Sequence, residues 1–228
     1  RTDNSFEGEF SIETNDVVAL AGGTNIVKQF ESGFLETLLT LSSSERAYFR
    51  DMAWQADTVY LQQRPRNFGS HLDLLRRMGA SIVIANFGQV EALGGATHLP
   101  RFLEAYEDLL DQFEQCTRRI VLVSPHQFEK HRDPLLPDLS LRNGDIAAYS
   151  EGIRQLAQRR KYIYVDLSQI DSSGWTSSSS QLNAEGQWRW AQNVASRLTR
   201  KKTAARTRHF ELLRQQISRK NVLWRQHW

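Results

Sequence analysis

The sequence predicts an α/β protein: a three-layer sandwich around a five-stranded parallel sheet, followed by a C-terminal amphipathic helical extension. Three observations carry this. Short apolar runs alternate five times with segments of helical period. The first of those runs, DVVALAGG, is continuously apolar rather than alternating, as a strand buried on both faces is. The charge also changes character near residue 200. Residues 196–228 hold ten basic residues and one acid, whereas the remainder holds 19 basic and 25 acidic residues. An acidic body therefore carries a basic tail.

The elements follow in order. DVVALAGG (16–23) is an apolar run closed by two glycines, the first strand. Ile26, Phe30, Phe34, Leu38 and Leu41 fall at helical spacing, so 25–41 reads as one helix. AYFRDMAW (47–54) is the second strand. SHLDLLRRMGA (70–80) is a short helix stopped by Gly79. SIVIANFG (81–88) is the third strand. Leu99, Phe102, Leu103, Tyr106, Leu109, Leu110, Phe113 and Cys116 make one apolar helix face over 99–116. RRIVLVSP (118–125) is the fourth strand, 144–160 a helix, KYIYVDLS (161–168) the fifth strand and 183–198 the closing helix. This β-α alternation implies right-handed crossovers with helices on both faces of the sheet. The body is expected to span 1–200 and the basic helical extension 201–228.

The composition, 40% hydrophobic and 24% charged over 228 residues, suits one sizeable core. No run approaches the 18 or so apolar residues of a membrane span. One cysteine, Cys116, excludes an internal disulfide and a cysteine-rich metal site. The chain opens on RTDNSFEGEF with neither Met nor an apolar leader, which suits a processed or excised piece of something longer.

In a parallel sheet of this kind ligands bind outside the carboxyl ends of the strands. The loops to inspect follow Leu20, Ala53, Phe87, Val123 and Leu167. AGGTN (21–25) frees the backbone for close approach and puts Thr24 among helix N-terminal N–H groups; Thr24 or Asn25 also reads as a plain N-cap. ADT (56–58), GQVE (88–91) and SSSQLNAEG (178–186) occupy three of the other loops.

Together, in this order, the four pieces resemble the motifs of the SGNH (GDSL-type) hydrolases, over roughly residues 10–200. That family has Gly-Asp-Ser after the first strand, a Gly-Asp-Thr-like turn after the second, Gly-x-Asn-Asp after the third, and Asp-x-x-His before the last helix. The resemblance implies an SGNH/flavodoxin-like fold. It sets Thr24 at the nucleophile, Ala56 at an oxyanion-hole glycine, Val90 at the asparagine, Ser178 at the aspartate and Gln181 at the histidine. Gly23, Asn25, Asp57, Gly88, Gln89 and Glu91 would line the same cleft. Every name-giving residue is changed. The reaction needs a hydroxyl activated by a base, and donors for the oxyanion. Gln181 takes no proton at neutral pH, Thr24 is a crowded nucleophile and Val90 has no side-chain donor; Ala56 keeps its N–H. Losing a triad's base or nucleophile costs about 10⁶-fold in turnover. The expectation is a catalytically silent domain that binds or scaffolds within a larger protein or complex. The alternative is an esterase or carbohydrate-ester hydrolase with a rebuilt site.

Rival chemistry is limited. Asp57 and Glu91 could form a carboxylate pair. His126, Glu129 and His131 lack the helical metal spacing, and no metal is expected. Trp188 and Trp190 read as core or cleft rim. The chain also looks like SGNH-type domains of long exported bacterial proteins that carry c-type heme modules. It has no Cys-x-x-Cys-His, so no heme or other cofactor is expected. The cleft would take a carbohydrate or ester ligand. In the tail, Phe210, Leu213, Ile217, Trp224 and Trp228 share a helical phase, which predicts burial of 203–228 against the acidic body, another subunit or an absent neighbouring domain, with a protein partner or neighbouring domain favoured. Nucleic acid is the less favoured partner, because the tail carries no known motif for it.

Overall fold

A computed structural model describes residues 5, 6, 8–131 and 133–227. Five strands form one parallel sheet: β1 (Val17–Gly22), β2 (Tyr48–Asp51), β3 (Ile82–Asn86), β4 (Ile120–Val123) and β5 (Ile163–Val165), in the order β2-β1-β3-β4-β5. The reversal of strand order beside β1 opens a crevice at the carboxyl edge, between the loops that leave β1 and β3. The register sets Gly22 of β1 against Asn86 of β3, so those two loops start level.

Among the described residues seven α-helices accompany the sheet: α1 (Thr24–Ser32), α2 (Phe34–Ser42), α3 (His71–Met78), α4 (Leu99–Glu114), α5 (Asn143–Arg160), α6 (Ala184–Thr199) and α7 (Arg208–His227). Alternate strand residues feed two cores. Val18, Leu20, Ile84, Val121 and Val123 pack with α1, α2, α6 and Phe210 of α7. Ala19, Ala21, Val83, Ala85 and Leu122 pack with α3, α4 and α5. The sheet is thus buried on both faces, as the unbroken apolar runs of β1 and β4 imply. Trp188 and Trp190 both belong to the first core, 6% and 0% exposed, rather than to any cleft rim.

The expected single helix over 25–41 is two helices. Gly33 stands between them at φ 71°, in the left-handed region, where its N–H closes α1 on the Gln29 carbonyl at 3.0 Å. The apolar spacing runs through the break, so periodicity alone did not reveal it. α3 is sharper than its sequence suggested: Ser70 and Asp73 form a reciprocal capping box, and Gly79 ends the helix at φ 66°.

The tail packs on the body itself. Phe210 and Ile217 are buried, contributing roughly 1.5–3 kcal/mol each by burial. Leu213 and Trp224 are half-buried, and Trp228 lies outside the described residues. One face of α7 also supplies partners to the end of α1, whose last carbonyls have none within the helix. Arg214 donates to the Ser32 carbonyl at 2.9 Å, Ser218 to the Glu31 carbonyl at 2.6 Å and Asn221 to the Phe30 carbonyl at 2.7 Å. Lys220 and Asn221 also bind the Glu36 carboxylate of α2. The expectation that this stripe needs another subunit or an absent domain is therefore corrected: α1 and α2 cover it. No helix among the described residues is long and apolar enough to cross a membrane.

Candidate functional site

β1 ends at Gly22 because nothing larger fits. A Cβ there would stand 2.6 Å from the Asn86 carbonyl oxygen and 2.7 Å from Ile26 Cγ1. Gly23 follows as the N-cap of α1 and offers no side-chain acceptor. The Ile26 and Val27 amides bond the Gly23 carbonyl, while the first N–H groups, of Thr24 and Asn25, have no intrahelical acceptor. These groups open on a cleft of about 110 Å³ at the carboxyl edge of the sheet.

Ten of the residues expected at the site line this cleft: Gly23, Thr24, Asn25, Ala56, Asp57, Gly88, Gln89, Val90, Glu91 and Gln181. Ser178 does not. It is exposed on the serine-rich loop, and its neighbour Ser180 lines the cleft in its place. Asn86, Phe87, Leu93 and Phe128 complete the wall. Phe128 comes from the loop after Val123, one of the five strand-end loops, where a phenylalanine carries no chemical signal in the sequence.

Asn25, not Thr24, is the hub. Its Oδ1 accepts the Leu182 amide at 2.9 Å, and its Nδ2 donates to Gln89 Oε1 at 3.1 Å and to the Ser180 carbonyl at 3.0 Å. One side chain therefore joins the loops after β1, β3 and β5. Behind it, Gln89 Nε2 donates to the His126 carbonyl at 3.2 Å and lies 3.0 Å from His126 Nε2. His126 is 1% exposed. Burial pulls its pKa down to about 4, so the ring is neutral at pH 7.

The carboxylate pair does not form. Asp57 is held in a bidentate ion pair by Arg64, at 3.0 and 2.8 Å, and accepts the Trp54 amide at 2.9 Å. Glu91 accepts the Val59 amide and the Gly88 amide, each at 2.9 Å. Burial raises its pKa, and those two donors offset part of the rise. Each carboxylate clamps a loop, and neither has an oxygen left free for acid–base work. Next to Asp57 in the same turn, Ala56 sits at φ 66°. A non-glycine residue held there costs about 1–2 kcal/mol, and the conformation turns the backbone as a glycine would.

The HQFEKH residues are also separated by task. Glu129 accepts the Trp175 and Thr176 amides at 3.2 and 2.8 Å and the Thr176 hydroxyl, anchoring the serine-rich loop. His131 Nδ1 accepts the Asp133 amide. Among the described residues no three His, Cys, Asp or Glu side chains stand together as a metal site.

No family model matches the chain, and no curated protein matches it by sequence. Solved structures do match. An acetyl xylan esterase is similar over 79% of this chain and 98% of its own, at 18% identity and a TM-score of 0.59. A catalytic variant of an acetylxylan esterase from Geobacillus stearothermophilus is similar over 86% and 99%, at 12% identity and a TM-score of 0.62. A GDSL-like lipase from Parabacteroides merdae is similar over 84% and 98%, at 13% identity and a TM-score of 0.56. The chain has the SGNH (GDSL-type) hydrolase fold. At these identities the likeness is one of fold, and the chemistry rests on this chain's own residues.

In this SGNH fold the last loop brings Gln181 to the cleft wall. Its Oε1 accepts the Lys28 ammonium at 3.3 Å, and its carbonyl accepts the Ser177 amide at 2.9 Å. Lys28 is one turn below Thr24 on α1. The cleft lining thus holds the Thr24 hydroxyl and an amide, Gln181, whose oxygen is taken by a cation, and among the described residues no imidazole or carboxylate is hydrogen-bonded to that hydroxyl.

Proposed function

We propose that this chain is a catalytically silent SGNH hydrolase-like domain, which keeps its cleft as a binding site and acts within a larger protein or complex. The observation that carries the reading is the Gln181–Lys28 hydrogen bond. By motif order Gln181 stands where the family has its base, and here that place holds an amide bound to a cation. Neither group withdraws a proton from Thr24 at neutral pH. The binding function is supported by what remains: backbone N–H groups at Thr24 and Ala56 that suit a carbonyl oxygen. Because the fold neighbours are acetyl xylan esterases, the ligand we favour is an acylated carbohydrate, held without turnover. An exported setting belongs to the same reading and rests on the motif resemblance alone. A protein partner would meet the outer face of α7, where Leu212, Val222 and Leu223 are exposed.

The test is hydrolysis of p-nitrophenyl acetate by the purified chain against a Thr24→Val control. Equal rates are expected. Turnover that disappears in the control would replace this reading with an esterase whose site has been rebuilt. The specific observation for that second reading is His126, a neutral imidazole one hydrogen bond behind Gln89; His126→Ala would then abolish the rate.

A further inference from the structure

A second cavity lies away from the cleft, in the angle between the β2–α3 connection and α7. Met52, Trp54, Phe68, Leu74, Met78 and Trp224 form its apolar wall, and Asp51, Arg64 and Arg225 its polar end. We propose that this pocket binds a small organic amine of single-ring size, its ammonium against the Asp51 carboxylate and its ring among Trp54, Phe68 and Trp224.

The size fits. The cavity measures about 190 Å³, and an apolar protein cavity of roughly 150 Å³ is enough to take up benzene. The sign of the ligand follows from how each charge is already used. Arg64 is spent: both terminal nitrogens bind Asp57, and they also reach the Met52 and Gln63 carbonyls. Arg225 donates to Glu31 Oε1 at 2.5 Å and stands 3.2 Å from Asp51 Oδ2. Two carboxylates therefore share one guanidinium, and Asp51 has the longer contact. Its remaining bond is the Ala53 amide at 3.0 Å. Burial pushes the Asp51 carboxyl up to about 7, with Arg225 offsetting only part of the cost. A further cation against this carboxylate supplies the missing compensation, whereas an anion would meet Asp51 with both guanidiniums engaged.

The aromatic wall suits the same ligand. Indole faces attract cations, and both indoles here already do so. The Arg64 guanidinium stands 5.1 Å from the Trp54 ring centre and that of Arg50 stands 4.3 Å from the Trp224 ring centre. The flexible thioethers of Met52 and Met78 adapt to a ring of varied shape. No residue lines both this pocket and the cleft, so the site is separate from the one proposed above and stands if that reading fails.

The test is calorimetric titration of the whole chain at pH 8, where Asp51 is ionised. The probes are phenethylamine and its isosteres 2-phenylethanol and phenylacetate. Phenethylamine is expected to bind at least tenfold more tightly than either isostere. Asp51→Asn should abolish that preference. Trp54→Ala, at an indole 41% exposed, keeps the fold and should weaken the amine severalfold; it decides the matter if Asp51→Asn disturbs α7. Equal binding of the three probes, preference for phenylacetate, no binding at all, or an amine affinity untouched by Trp54→Ala would overturn the proposal.

Discussion

Asn25 reaches 157 residues along the chain to accept the Leu182 amide on its Oδ1 at 2.9 Å. The cleft is assembled by this contact more than by any residue at a motif position, because the same side chain also holds Gln89 and the Ser180 carbonyl. Asn25→Leu leaves the Leu182 amide without its acceptor and Gln89 Oε1 without its donor. The stranded amide of Leu182, a residue 1% exposed, costs about 1–3 kcal/mol, whereas Gln89 Oε1 faces the open cleft. A fall in chemical-denaturation stability of that size is expected, together with faster proteolysis within 177–181. A variant as stable and protease-resistant as the parent would show that the loops are held elsewhere.

Gly186 should be as sensitive for a steric reason. A Cβ at this position would lie 2.0 Å from the Trp175 carbonyl oxygen, where the serine-rich loop crosses the first turn of α6. Gly186→Ala forces loop and helix apart and is expected to cost about 1–3 kcal/mol, the usual penalty of overpacking, read as a lower urea midpoint. An unchanged midpoint would mean that the loop does not press on α6.

Ala56→Gly should move stability the other way. Glycine relieves about 1–2 kcal/mol of left-handed strain at φ 66° and costs about 0.4–1 kcal/mol in unfolded-chain entropy. A net gain of about 0–1.6 kcal/mol is expected in thermal unfolding. A loss would show that the turn is not held in this conformation in solution.

Restoring the family residues tests whether the cleft is still competent. Thr24→Ser, Val90→Asn, Ser178→Asp and Gln181→His together should create p-nitrophenyl acetate hydrolysis above the parent. The set without Ser178→Asp should come within about tenfold of it, since residue 178 is exposed and off the cleft wall and the triad's acid is its most dispensable member. A quadruple variant no faster than the parent would mean the cleft no longer seats an ester carbonyl.

Acid stability carries a signature of the buried imidazoles. Burial lowers the pKa of both His71 and His126 to about 4, from an ordinary 6.5. The unfolded chain takes up these protons below pH 6.5, whereas the folded chain resists until about 4. Stability due to the two groups is therefore full above 6.5, is lost progressively as the pH falls to 4, and levels off below. In His126→Gln the fall between pH 6.5 and 4 should be shallower, by denaturant titration at each pH. An identical slope would place the imidazole in contact with water.

The layered architecture was legible because strands such as Ile82–Asn86 are apolar on both faces and because helices such as Leu99–Glu114 keep one apolar stripe. The break at Gly33 was hidden, since Phe30, Phe34 and Leu38 stay in phase across it. At the site, strand ends bring motif positions together, so ten of the expected residues could be named from loop order. What each does was not legible. Asp57 reads identically whether it faces the cleft or Arg64, and His126 shows no sequence sign of lying behind Gln89. Such roles depend on partners distant in the chain. The tail's stripe was visible as a need for burial, but the identity of its cover was not.

The caps that α7 places on α1 bear on where this protein can be cut or tagged. A shortened chain ending at residue 200 would look complete by its strands, yet it would leave the Phe30, Glu31 and Ser32 carbonyls without their side-chain partners and Glu36 without its cation. The lesion would surface at the first helix after β1, the one that presents Thr24 to the cleft. Fusion junctions and affinity handles therefore belong beyond α7, and a truncated version that loses ligand affinity would report a frayed α1 rather than a binding role for the tail.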